Sequence, residues 1–138
     1  MRFENETHLD RENRAIEKFV SMFSLTYKKL GDNDIDFQLF KNERLIGFVE
    51  VKGRHKNLAE AYPLPVAIRK ISKLQGEYGP RLNPIIIWAC HDGIIYGKLM
   101  KLKGNIEEGG RPPRPQAKND QELMAYYTAQ EDLHHAEY

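Results

Sequence analysis

Two charged residues, Glu50 and Lys52, stand at the end of an otherwise apolar run, "IGFVEVK". Charged side chains are almost never fully buried unless paired, and isolated buried charge is expensive. In an extended chain alternate side chains share a face, so Glu50 and Lys52 point one way and Val49 and Val51 the other. With a second carboxylate and a backbone carbonyl, Glu50 would complete an oxygen-only cage of the kind that suits Mg²⁺ or Mn²⁺. Such an ion polarises a phosphate oxygen and lowers the pKa of a bound water. A lysine beside it can orient that water or offset charge on the phosphorus centre. The plain alternative is a surface ion pair between Glu50 and Lys52, worth roughly 0–1 kcal/mol.

The second carboxylate has to come from upstream. "DIDFQLF" and "RLIGFVEVK" read as a hairpin around Asn42 and Glu43, with Asp34 and Asp36 at its start. If Asn42 and Glu43 alone formed the turn, residue 35 would oppose Glu50 and Asp36 would face the other side. Asp36 and Glu50 converge only if the loop has an odd count or a bulge shifts the register. Asp34 has the same parity as Asp36, so this geometry leaves both open.

The elements that must hold these residues can be read from periodicity. "THLDRENRAIEKFVSMF" predicts a first helix capped at Thr7, with Ala15, Phe19 and Phe23 at helical spacing. "LTYKKL" reads as a short strand. "PVAIRKISKLQGEY" predicts a second helix opened by Pro65, with Ala67, Ile71, Leu74 and Tyr78 in one stripe. "NPIIIWACHDGIIYGKLMKL" reads as two strands around an Asp92-Gly93 turn. A Gly/Pro-rich basic loop follows over 104–118, and "NDQELMAYYTAQEDLHH" suggests a final helix capped at Asn119. The order α-β-β-β-α-β-β predicts an α/β protein with a mixed sheet. Residues 1–103 would be its core and 119–138 an acidic helical appendage, all within one domain.

Composition bounds the reading. A chain of 138 residues with 41% hydrophobic and 30% charged residues fits one folded domain with a polar surface. The single cysteine, Cys90, cannot form an internal disulfide and fits a reducing, cytoplasmic setting. "MRFENETHLDREN" has no signal-peptide character, and "PIIIWAC" is too short to span a bilayer. Net charge is only +1, but residues 53–83 and 98–118 each carry six Lys/Arg against two acids. Residues 119–138 carry five acids and no Lys or Arg. Two basic segments on a near-neutral chain suit a polyanion.

"DIDFQLFKNERLIGFVEVKGR" resembles the core motif of the PD-(D/E)xK nuclease superfamily, with its restriction-endonuclease-like αβββαβ core. It is most similar to archaeal Holliday-junction resolvases and small bacterial relatives. In those families an aspartate opens one strand, a short turn follows, and an apolar strand ends in "EVK" and a basic residue. Asp36, Glu50, Lys52 and Arg54 match that pattern, although no proline precedes the aspartate. The families also place a glutamate on the first helix, and "ENRAIEKF" offers Glu12, with Glu17 as its rival. The resemblance implies Mg²⁺ (or Mn²⁺) held by Asp36, Glu50, the Val51 carbonyl and Glu12, with Lys52 positioning the attacking water. It also implies phosphate contacts from Arg54 and from Arg69, Lys70 and Lys73 on the second helix. The expected activity is phosphodiester hydrolysis, most readily in DNA, by a protein that could act as a homodimer. The competing expectation is a nuclease-like fold that only binds nucleic acid or assembles with partners. His55 could reach phosphate, and "RPPRP" could track a nucleic-acid backbone.

Overall fold

The chain's structure, a computed structural model, describes residues 2–31, 35–78, 83–110 and 121–138, as backbone alone at 2–8, 78, 109–110 and 121. Helix α1 runs from Arg2 to Phe23. It therefore begins upstream of Thr7, which lies inside the helix and does not cap it. Among its described side chains Ala15, Ile16, Phe19 and Val20 are buried, an i, i+1, i+4, i+5 pattern that gives one apolar face. Strands β1 (Thr26–Lys29), β2 (Phe37–Lys41) and β3 (Arg44–Gly53) follow as an antiparallel meander.

After β3 the chain makes strand β4 (Leu64–Ala67) and then helix α2 (Ile68–Tyr78). Strands β5 (Ile85–Ala89), β6 (Gly93–Lys98), β7 (Asn105–Gly110), β8 (Gln121–Tyr127) and β9 (His134–Glu137) complete the described chain. Six strands form one mixed sheet in the order β1-β2-β3-β5-β6-β9, with β3 and β5 parallel and every other pair antiparallel. The parallel pair requires a crossover, and β4 with α2 supplies it. A second, antiparallel sheet has the order β4-β8-β7.

Four expectations are corrected by these elements. Pro65 lies in β4 rather than opening a helix, because the alternately buried Leu64 and Val66 pair with β8 at the edge of the small sheet. A proline that donates no hydrogen bond is tolerated at such an edge. The hairpin between β5 and β6 turns at His91-Asp92, one residue earlier than Asp92-Gly93, and Cys90 N–H donates to Gly93 O at 2.9 Å. Gly93 is needed inside β6, where a Cβ would stand 2.3 Å from Ala136 O of β9. Residues 105–110 form a strand, not a loop; 111–118 with "RPPRP" and the cap at Asn119 lie outside the described residues. The expected C-terminal helix is two strands, β8 and β9, built into different sheets.

Helix α1 covers one face of the six-stranded sheet, meeting Phe37, Leu39, Val49, Ile87, Ala89 and Ile94. The other face carries Ile86, Trp88 and Ile95 and is covered by α2 and the small sheet through Leu74, Leu64 and Tyr127. Among the described residues no helix is long and apolar enough to cross a membrane.

The β2–β3 hairpin sets the register that matters. Asn42 and Glu43 form a two-residue turn with φ of 52° and 68°, the left-handed pair that twists with its strands. Lys41 pairs with Arg44 and Phe40 with Leu45, but Leu39 pairs with Gly47. Ile46 is thus the extra residue of a bulge, and beyond it Phe37 pairs with Val49. Asp36 sits just before this paired stretch, and its side chain reaches the Val51 N–H of β3.

Candidate active site

The end of β3 carries two ionisable side chains on the face that α2 covers, as strand alternation requires. Glu50 is 6% exposed and is the buried charged residue of the described core. Its Oε2 accepts from Lys70 Nζ of α2 at 3.0 Å. Its Oε1 is buried and has no hydrogen-bond partner, an unusual state for a carboxylate oxygen.

Asp36 stands just before β2, and its Oδ2 accepts from the Val51 N–H at 2.7 Å. That bond fixes the carboxylate against the backbone of the strand bearing Glu50 and Lys52. Burial first, and the Glu50 charge second, push the Asp36 carboxyl up to about 6; the Val51 N–H and Lys29 oppose the shift. Burial pulls the Lys52 ammonium down, Lys70 and Arg69 add to the effect, and Glu50 and Asp36 oppose it. Asp36 and Glu50 and the cations Lys29, Lys52, Lys70 and Arg69 are therefore close enough for charges to be felt across a partly desolvated site.

Helix α1 brings Glu12 to the margin of this group. Its carboxylate pairs with Lys29 of β1, and its charge adds to the upward pressure on Asp36. Glu17 instead accepts from Tyr27 OH at 2.5 Å. Of the two helix glutamates, Glu12 is the one whose charge reaches Asp36. Among the described residues no three His, Cys, Asp or Glu side chains gather closely enough to hold one ion, so Glu12 does not join Asp36 and Glu50 in a single cluster. Asp34, the other aspartate of the motif, lies outside the described residues.

The basic residues separate by role. Arg54 turns inward, its Nε donating to Ala61 O at 2.8 Å and its Nη2 to Pro63 O at 3.2 Å; it braces the loop after β3. Arg69 pairs with Glu122 of β8 at 3.0 Å while remaining 76% exposed. Lys70 faces the site and Lys73 is exposed on α2. Lys29 and Arg11 carry no sequence signal; each is recruited by tertiary packing alone. A cavity of about 200 Å³, lined by Arg11, Glu12, Val51, Gly53, His55 and Ala89, opens on the other side of the β3 end. A larger, mostly apolar cleft of about 660 Å³, which includes Phe23, Ile46 and Ile85, lies at the opposite end of the sheet, away from these charges.

A mixed sheet with a helix on each face is consistent with the restriction-endonuclease-like fold. The model of the family described as "Phage putative PDDEXK endonuclease" matches residues 1–132, and the chain belongs to that family. No curated protein and no solved structure matches the chain. Membership places it among the PD-(D/E)xK nucleases, whose substrates are nucleic acids.

Proposed function

We propose that the protein is a metal-dependent endonuclease that hydrolyses phosphodiester bonds in DNA. The observation that supports this best is the unpartnered, buried Glu50 Oε1, which has Asp36 as its acidic neighbour. A buried carboxylate oxygen without a donor is destabilising, and a cation supplied from solution would satisfy it.

The donor set fits Mg²⁺, or Mn²⁺ in its place: Asp36, Glu50 and the Val51 carbonyl supply oxygens only, and water would complete the shell. When bound, the ion would polarise a phosphate oxygen and acidify a coordinated water. The Val51 N–H holds Asp36 in place for that task. Glu12, paired with Lys29, assists through water. Lys52, its ammonium weakened by burial, orients the attacking water and takes up a proton more sparingly than a solvated lysine. Lys70, released from Glu50, could turn to the phosphate, with Arg69 and Lys73 following the strand along α2. Arg54 contributes by holding the loop that follows β3. The described fold offers no separate recognition domain, so selectivity would be modest or come from a homodimer.

The test is cleavage of plasmid, linear duplex, single strand, four-way junction and RNA with Mg²⁺, Mn²⁺ or EDTA, with Lys52→Ala alongside. Metal-dependent cutting of DNA, reduced at least a hundredfold in the variant, is the expected outcome. Tight DNA binding with no cutting in any metal would leave a nuclease-fold binding module instead.

A further inference from the structure

The cavity behind the end of β3 borders the proposed metal site and adds two nitrogen-bearing side chains, Arg11 and His55, that the metal site does not use. Its lining joins both faces of the problem: Val51 and Glu12 border the candidate metal site, while Arg11 and His55 face each other across Gly53. Arg11 Nη1 stands 3.4 Å from His55 Nε2, so two nitrogen-bearing planes converge on one small space. A Cβ at position 53 would stand 3.1 Å from Arg11 Nη1 and 3.6 Å from Arg11 Cδ. Glycine there keeps the guanidinium clear. Glu12 is the acid in this lining, and its pairing with Lys29 offsets its charge.

Planar guanidinium groups bind phosphate oxygens with two parallel, charge-assisted bonds, and an imidazole beside one can add a third. Val51 itself lines the cavity, so a strand whose phosphate lies at the Val51 carbonyl would pass beside it. We infer that Arg11 and His55 form a subsite for a phosphate flanking the scissile one, holding the strand in register with Asp36, Glu50 and Lys52. This rests on the nuclease reading and adds the residues that place the substrate. Arg11 and His55 are binding residues here, acting on KM more than on kcat.

The experiment uses the full chain with Mg²⁺ and a DNA duplex that it cuts, carrying a single neutral methylphosphonate moved through the positions flanking the cut. At one flanking position the methylphosphonate should raise the wild-type KM about tenfold, the scale of one lost charge-assisted contact, with kcat within twofold. Arg11→Met should show the same rise on the unmodified duplex and less than a further twofold rise from the methylphosphonate, the non-additivity expected of two partners in one contact. Arg11→Lys should recover part of the loss. His55→Gln, at an exposed position, gives an independent arm in which the same non-additivity is expected at the same phosphate. Losses that multiply at every position, or an unchanged KM in Arg11→Met, would overturn the subsite while leaving the nuclease standing. A wild-type protein that cuts no nucleic acid would remove the nuclease reading, and this one with it.

Discussion

At the scale of single residues, the site stores electrostatic tension that a cation would relieve. The Asp36 carboxyl titrates near 6 in the fold against an ordinary 3.8, so the folded state holds this proton more tightly than the unfolded chain. The sign follows: below about pH 4 both states are protonated and nothing is lost. Between pH 4 and 6 the metal-free protein loses stability as pH rises, and above 6 the loss levels at about 3 kcal/mol. Asp36→Asn keeps an oxygen for the Val51 N–H and removes the titration. In EDTA, urea midpoints should therefore show the variant more stable than the parent at pH 7 and nearly equal to it at pH 4; an equal gap at both would refute the assignment. Lys70 carries the complementary prediction. Lys70→Met leaves Glu50 buried without its ion pair, and the metal-free protein should lose about 2 kcal/mol, less than a fully buried pair would cost because Lys70 is partly exposed. Adding Mg²⁺ should restore more stability to this variant than to the parent, read from thermal unfolding with and without metal. That Glu50 and Lys52 share a face was legible because strand alternation assigns faces without knowledge of the fold, whereas alternation left Asp34 and Asp36 both open. Lys70 on Glu50 and Lys29 on Glu12 were not legible, since each joins residues that only packing brings together.

At the scale of elements, the β2–β3 hairpin decides whether the site exists at all. A two-residue turn by itself would pair Phe37 with Phe48, and the bulge at Ile46 shifts that register by one, so that Phe37 pairs with Val49. The sequence posed this condition but could not choose between an odd loop and a bulge, because "NERLIG" has no proline or paired glycines to mark either. The turn places Glu43 at φ 68°, which a side chain with a Cβ tolerates poorly. Glu43→Gly should raise stability by about 1 kcal/mol in denaturant unfolding with cleavage unchanged, since the turn lies at the far end of β3 from the acids. A destabilised variant would show that Glu43 makes contacts outweighing its backbone strain. Where the sequence misled, apolar residues carried two periods at once. "LPVA" continues smoothly into the stripe of α2, and the proline reads as a helix opener until β8 is seen pairing with it. "ELMAYY" is equally apolar at helical and strand spacing, so only its partners in β4 and β7 settle its form.

At the scale of the whole molecule, the C-terminal third is part of the frame that holds the site. The sequence suggested a core ending at residue 103, with a loop and an acidic helix attached. In the structure Ala125, Tyr127 and Leu133 close the core over Trp88, Leu64 and Val66, and β9 extends the main sheet alongside β6. That core is the floor on which α2 lies, and α2 delivers Lys70 to Glu50. Charge alone concealed this: five acids with no Lys or Arg resemble a solvated tail, yet Ala125 and Tyr127 of β8 are buried. A fragment of residues 1–103 would lose these three buried side chains and expose those beneath them. At roughly 1.5–3 kcal/mol for each large apolar group returned to water, the loss rivals the whole stability of a typical domain. The fragment should therefore show no cooperative unfolding transition by circular dichroism and no Mg²⁺-dependent shift in melting. A fragment that unfolds cooperatively and still responds to Mg²⁺ would mean that α2 needs no floor, and that the small sheet serves another purpose than holding Lys70 against Glu50.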